Sequence, residues 1–177
     1  MHSNEAEAHE RFNQTILPHL DAAYNLARWL TKSDDDAEDI VQESCLRALK
    51  FMRGFNGADP RAWLLQIVRN AFYDSHRRRR NQETGETFET AARDLKSAAP
   101  GPDEMLLQHI EIEALRGAIE ELAEEFREVL ILREMEGLQY EQISEIVGAP
   151  IGTVMSRLSR ARARLRESLT GKEGTAL

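Results

Sequence analysis

The sequence predicts an all-α protein made of two small helical domains joined by a flexible linker. Apolar residues recur every three or four positions over most of the 177 residues, which is the period of a helix face. No run of alternating apolar and polar residues is long enough to argue for a sheet. The helical pattern lapses over residues 81–103 into Thr, Glu, Gly, Ser and Ala, ending in Pro100, Gly101 and Pro102. That composition suits a linker. The domains are then residues 7–80 and 104–169.

Each element has its own signature. Residues 7–32 place Phe12, Ile16, Leu20, Ala23, Tyr24, Ala27 and Leu30 at helical spacing, in one long helix that Pro18 bends or breaks. Ser33, Asp34, Asp35 and Asp36 supply N-cap oxygens and negative charge to a second helix reaching about residue 53. Its core row is Ala37, Ile40 or Val41, Cys45, Ala48 and Met52. Gly54, Asn56, Gly57 and Pro60 form a loop. A third helix carries Trp63, Leu64, Ile67, Val68, Ala71 and Phe72 into His76 and the run Arg77, Arg78, Arg79 and Arg80. These three helices can bury one core. Beyond the linker, periodicity returns with Leu106, Ile110, Leu115, Ile119 and Leu122, then Phe126, Val129, Leu130 and Leu132, and Gly137 closes the segment. Residues 170–177 are expected to fray.

Residues 139–166 read as a helix-turn-helix. Ile143, Ile146 and Val147 line one face of a short helix, Gly148 tolerates the left-handed conformation at its end, and Pro150 can open the next helix. In that helix Val154, Leu158, Ala161 and Leu165 form a seam. Thr153, Ser156, Arg157, Ser159 and Arg160 then turn outward. Five arginines and no acidic residue lie between Pro150 and Arg166, in a chain of net charge -8. Such local segregation suits a phosphate-lined groove. A recognition helix reads base edges with its N-terminal residues, so Thr153, Met155, Ser156, Ser159 and Arg160 are candidate readers, while Arg162, Arg164 and Arg166 suit phosphates. The bland alternative is a solvated cationic face.

Composition narrows the function. With a pI near 5.2, the chain as a whole is not built to adhere to nucleic acid, so DNA binding has to come from local patches. Cys45 is the single cysteine, which rules out a disulfide within one chain and leaves a buried thiol as the default. No segment has the apolar length of a signal peptide or a membrane span, and a cytoplasmic protein without membrane insertion is expected. The five histidines show no metal-ligand spacing, so neither metal nor cofactor is expected.

Two further stretches ask for partners. Asp34, Asp35 and Asp36 suit a helix N-terminus, but Glu38, Asp39, Gln42 and Glu43 continue along an exposed flank and call for a cationic partner. Phe55, Asn56, Trp63, Asn70, Phe72 and Tyr73 precede the arginine run, a mixture of rings, amides and cations of the kind that binds single-stranded DNA. Trp63 and Phe72 fit the core at least as well. Asn70 suits either a helix surface or a hydrogen bond to an extruded base edge. Four consecutive arginines exceed what a helix C-terminus needs for its dipole.

The order AEDIVQE at residues 37–43, W-L-x-x-I-x-x-N at residues 63–70, the arginine run and GTVMSRLSRARARL at residues 152–165 resembles the extracytoplasmic-function group of sigma-70 factors. The resemblance covers about residues 12–169. It implies a sigma-2 domain of three or four helices followed by a sigma-4 helix-turn-helix domain. It also implies that Glu38, Asp39, Gln42 and Glu43 dock on the β′ clamp helices of core RNA polymerase. By the same resemblance the loop at Phe55, Asn56 and Asp59, with Trp63, Asn70 and Arg77 to Arg80, traps an unpaired base of the −10 promoter element. Thr153, Met155, Ser156, Arg157, Ser159, Arg160, Arg162 and Arg164 would read or grip the −35 element, and residues 106–135 would meet the β flap. An anti-sigma factor is expected to clamp the two domains.

Met155 and Ser159 depart from side chains common in that group, so the −35 preference is particular to this chain. Ser144 replaces an alanine and Ala123 a proline, both with local effects only. The alternative function is a helix-turn-helix repressor or activator, which acts as a dimer on a two-fold operator. A DNA hydrolase would need convergent carboxylates, whereas those on one exposed helix face diverge.

Overall fold

The computed structural model describes residues 2–82 and 103–173, and among them eight α-helices and no strand. The expected linker otherwise falls on residues 83–102, outside the described residues. The helices are α1 (His2–Thr15), α2 (Leu20–Thr31), α3 (Asp34–Phe51), α4 (Pro60–Gln82), α5 (Asp103–Glu120), α6 (Glu124–Leu130), α7 (Tyr140–Val147) and α8 (Ile151–Glu173).

The first long helix is broken. Pro18 sits in a 3-10 turn, Leu17–His19, between α1 and α2, where its missing N–H and fixed φ cost nothing. α2 ends on Lys32 in the left-handed conformation at φ 57. The Ser33 hydroxyl then caps α3 by accepting from the Asp36 N–H at 3.3 Å. α2, α3 and α4 pack on one another. They bury Ala23, Leu26, Ala27 and Leu30, then Ala37, Ile40 and Ala48, then Leu64, Leu65, Val68, Ala71 and Phe72. Leu65 takes an inward place that the spacing assigned to Trp63 or Ile67, both half-buried. Likewise Ser44 is fully buried and donates to the Ile40 carbonyl at 2.6 Å, leaving Cys45 half-exposed.

In the C-terminal half, Arg127 is buried between α5 and α6 and donates to the Glu120 and Leu122 carbonyls at 3.1 and 2.8 Å. It thereby satisfies backbone acceptors left open where α5 ends. Burial lowers its pKa. α6 leads into a π-helical segment, Ile131–Met135. Ile119, Leu122, Phe126, Val129, Leu130, Ile131 and Leu132 pack with α7 and α8. The apolar period overreached at the start of α5, where Ile110 and Leu115 are 57% and 42% exposed. α8 runs to Glu173, so the fraying expected from residue 170 does not occur at Thr170, whose hydroxyl donates to the Arg166 carbonyl at 2.8 Å.

The two cores are continuous, because α2 meets α6 and α4 meets α7.

Candidate nucleic-acid interface

α7 and α8 are set by local chemistry. The Gln139 N–H donates to the Gln142 Oε1 at 2.9 Å, half of a capping box that starts α7. Gly148 ends α7 at φ 65, and the Ser144 hydroxyl donates across the turn to the Ala149 carbonyl at 2.6 Å. The Pro150 carbonyl accepts the Thr153 and Val154 N–H groups. Val154, Leu158 and Ala161 are buried at 0, 1 and 0% exposure, which fixes the rotation of α8.

That rotation sorts the predicted readers. Met155, Ser156, Ser159 and Arg160 are exposed, and Thr153 is half-buried. Arg160 makes no ion pair among the described residues. Three of the other four arginines are engaged, Arg157 with Glu125 at 3.2 Å, Arg162 with Glu134 at 2.5 Å and Arg164 over the Phe126 ring at 4.8 Å, while Arg166 is exposed farther along the helix. Glu134 raises the Arg162 pKa by hydrogen bonding. The open face therefore combines small polar groups, one thioether and one available guanidinium, which suits a major groove.

The acidic run of α3 divides as well. Asp34 accepts from Arg28 at 2.5 Å and Tyr24 at 3.3 Å, and Asp36 accepts from Arg79 at 2.6 Å. The Arg79 hydrogen bond holds the Asp36 carboxyl below its usual 3.8. Glu38, Asp39 and Gln42 are exposed, while Glu43 pairs with Arg47 at 2.8 Å, and Arg47 with Asp74 at 2.7 Å. Sequence reasoning missed Leu46, which is 66% exposed beside them. Its position one residue beyond Cys45 in the core row was the available signal.

The −10 candidates do not form one pocket. Phe55 is buried at 7% exposure against Trp63, with ring centroids 4.8 Å apart, and its carbonyl accepts from Arg11 at 2.8 Å. Asn56 accepts the Ala58 N–H and Asp59 the Ala62 N–H, so both carboxyl and amide shape the entry to α4. These residues line a cavity of about 310 Å³ that Gln142, Glu145 and Ile146 of the C-terminal half help to wall. Asn70 is exposed and lies elsewhere. With Arg47, Arg69, Tyr73, Asp74 and Arg77 it lines a polar concavity of about 520 Å³. Arg77, Arg78, Arg79 and Arg80 are all exposed at the end of α4.

Between the halves runs a polar seam that sequence reasoning did not foresee. Glu128 is 1% exposed, accepts from Arg69 at 3.0 and 3.2 Å and from the Tyr73 hydroxyl at 3.1 Å. Burial outweighs these partners and raises its pKa; burial and then Glu128 raise that of Tyr73. Glu136 is 5% exposed and accepts from Arg61 and from Asn25, the latter at 2.6 Å. Gln142 donates to Asp59 at 2.5 Å, and Gln66 to the Glu145 carbonyl at 3.3 Å.

Comparison with known proteins agrees with this architecture. Residues 15–82 match the model of Sigma-70 region 2 and residues 112–165 that of Sigma-70, region 4. The ECF RNA polymerase sigma factor EcfG of Rhodopseudomonas palustris is 39% identical over 137 residues, 77% of this chain and 72% of the relative. The ECF RNA polymerase sigma-E factor of Haemophilus influenzae is 31% identical over 153 residues, 81% of this chain and 79% of that protein. The sigma factor RpoE of Bartonella quintana, solved in complex with the anti-sigma factor NepR, shares 33% identity. It superposes with a TM-score of 0.72 over 90% of this chain and 96% of its own. This chain belongs to the extracytoplasmic-function group of the sigma-70 family, and its function is that of an RNA polymerase sigma factor. The dimeric repressor reading is not favoured by these relatives. No described helix is long and apolar enough to cross a membrane.

Proposed function

We propose that the chain works as two recognition units, approximately residues 7–80 and 104–169, which bring core polymerase to a bipartite promoter in the cytoplasm. α8 reads the −35 element as duplex, with Met155, Ser156, Ser159 and Arg160 at base edges and Thr153, Arg157, Arg162 and Arg164 steering the backbone. The observation that carries this is the segregated face of α8: its apolar seam is buried while small polar groups and Arg160 stand open.

The remaining surfaces have separate tasks. Glu38, Asp39, Gln42 and Glu43 dock on the β′ clamp helices, with Leu46 adding apolar contact, and the C-terminal unit meets the β flap. The loop at Asn56 and Asp59, with Asn70 and Arg77 to Arg80 farther along α4, holds the opened −10 strand. Phe55 and Trp63 support that loop from below. Capturing an extruded base offsets an unstacking cost of a few kcal/mol, so promoter opening needs no bond chemistry from this chain, and catalysis belongs to the polymerase. An anti-sigma factor is the regulator, a reading supported by the Bartonella relative's structure in complex with the anti-sigma factor NepR.

The docking face is tested by the affinity of the full chain for purified core polymerase. Asp39→Arg should weaken binding by tenfold or more, about 1.4 kcal/mol, with the helical circular dichroism unchanged. Wild-type affinity in this variant would contradict the assignment.

A further inference from the structure

We infer, on the reading of α8 as the −35 helix, that Ile151 is a further specificity-determining residue, and that with Met155 it recognises thymine by the C5-methyl group. α8 buries its seam almost completely, with Val154, Leu158 and Ala161 at 0, 1 and 0% exposure, yet Ile151 and Met155 stand 40% and 52% exposed. No other large apolar side chain described between residues 139 and 166 is as open. Four residues apart, the two share one ridge of the helix. That ridge lies at the N-terminal end of α8, the part of a recognition helix that meets base edges.

The surroundings of the pair select its occupant. Beside the ridge run Gly152, Ser156 and Ser159, all exposed, and no heavy atom lies within 4 Å of where a Gly152 Cβ would stand. Side chains this small let the helix come close to a groove floor, which brings the flanking Ile151 and Met155 to the base edges. At 3.6 residues per turn, Arg162 falls on the flank of Ile151 and Met155 and Arg160 on the opposite one. Arg162 is held by Glu134 at 2.5 Å, whereas Arg160 is exposed and makes no ion pair among the described residues. The outward face is thus divided into a flank with a free guanidinium and a flank that leads with apolar groups. Arg160 can donate to guanine acceptors. Ile151 has neither donor nor acceptor, and the feature of the major-groove edges that an aliphatic side chain recognises is the thymine methyl. Phosphates offer such a side chain no matching surface.

The test uses the full chain bound to core polymerase and promoters recovered by run-off transcription from a randomised library. Each is resynthesised with uracil in place of thymine across the −35 element, which keeps the base pairing and removes only the methyl groups. Holoenzyme affinity should fall about fourfold for each methyl contacted, the factor that burial of one methyl-sized apolar group gives. Ile151→Ala and Met155→Ala should each weaken binding to the thymine duplex and shrink the uracil penalty, and the double variant should bind both duplexes equally. Ile151→Val should retain most of the penalty. Arg160→Ala should weaken binding to both duplexes and leave the penalty intact. Unchanged affinity of each variant for core polymerase, which α3 engages, confirms that the chain is folded. A full uracil penalty in the double variant, equal wild-type affinity for the two duplexes, or recovered −35 elements without thymine on either strand would overturn the proposal. A duplex with a scrambled −35 element separates the two readings. Discrimination against it without a uracil penalty rejects the methyl contact alone, and equal binding to it rejects the −35 reading of α8 as well.

Discussion

In the proposed −35 contact, Arg160 is the single side chain that bears most on specificity. It is exposed on the outward face of α8 and makes no ion pair among the described residues, whereas Arg157 and Arg162 are paired with Glu125 and Glu134. A bidentate contact from such a guanidinium to a base edge is worth about 1–3 kcal/mol. Arg160→Ala should therefore weaken holoenzyme binding to the preferred −35 sequence by that amount and relax the preference at one base pair. Competition binding against a substituted −35 element measures both. Much of this face was legible in the sequence, because a buried seam at Val154, Leu158 and Ala161 dictates which residues turn outward. The pairing of Arg157 and Arg162 was not, because their carboxylate partners lie 28 or more residues away in the chain. The burial of Phe55 was not legible for a related reason: an aromatic residue in a loop carries no sign of the Trp63 ring packed against it.

Among the elements, the turn between α7 and α8 is specified most narrowly. Gly148 adopts φ 65 with no heavy atom within 4 Å of where a Cβ would stand, so alanine there meets conformational strain and not a clash. Gly148→Ala should cost about 1–2 kcal/mol. Gly152 is helical and equally uncrowded, so Gly152→Ala should stabilise by about 0.5–1 kcal/mol. Opposite signs in urea denaturation of the full chain are the expected result, and destabilisation by both would contradict the account of the turn. The helix boundaries here followed from Gly148 and Pro150, and that of α3 from Ser33. The π-helical segment had no such marker. It is set by where Leu132, Leu138 and Glu136 must pack, which is a tertiary demand that local propensity does not register. The same limit explains α5, whose Ile110 and Leu115 have helical spacing yet stay exposed among the described residues.

For the whole molecule, the decisive fact is that the two units share a continuous apolar core and bury, along the same seam, polar contacts around Glu128 and Glu136. Charged residues at those places read in sequence as ordinary surface of an amphipathic helix, because burial by a distant unit leaves no periodic trace. Fold class and the two-unit order were legible, since motif order and the helical period are both carried by sequence; the seam was not. Sigma factors partner with core RNA polymerase and promoter DNA, and the surfaces of α3, α4 and α8 are the three that we propose for those contacts. Run-off transcription with purified core polymerase on a library of randomised promoters, with and without this chain, tests that claim directly. Transcripts that appear only when the chain is present, from templates sharing an upstream and a downstream motif, are the predicted result. Equal transcription with core polymerase alone, or transcripts sharing no motif, would contradict it.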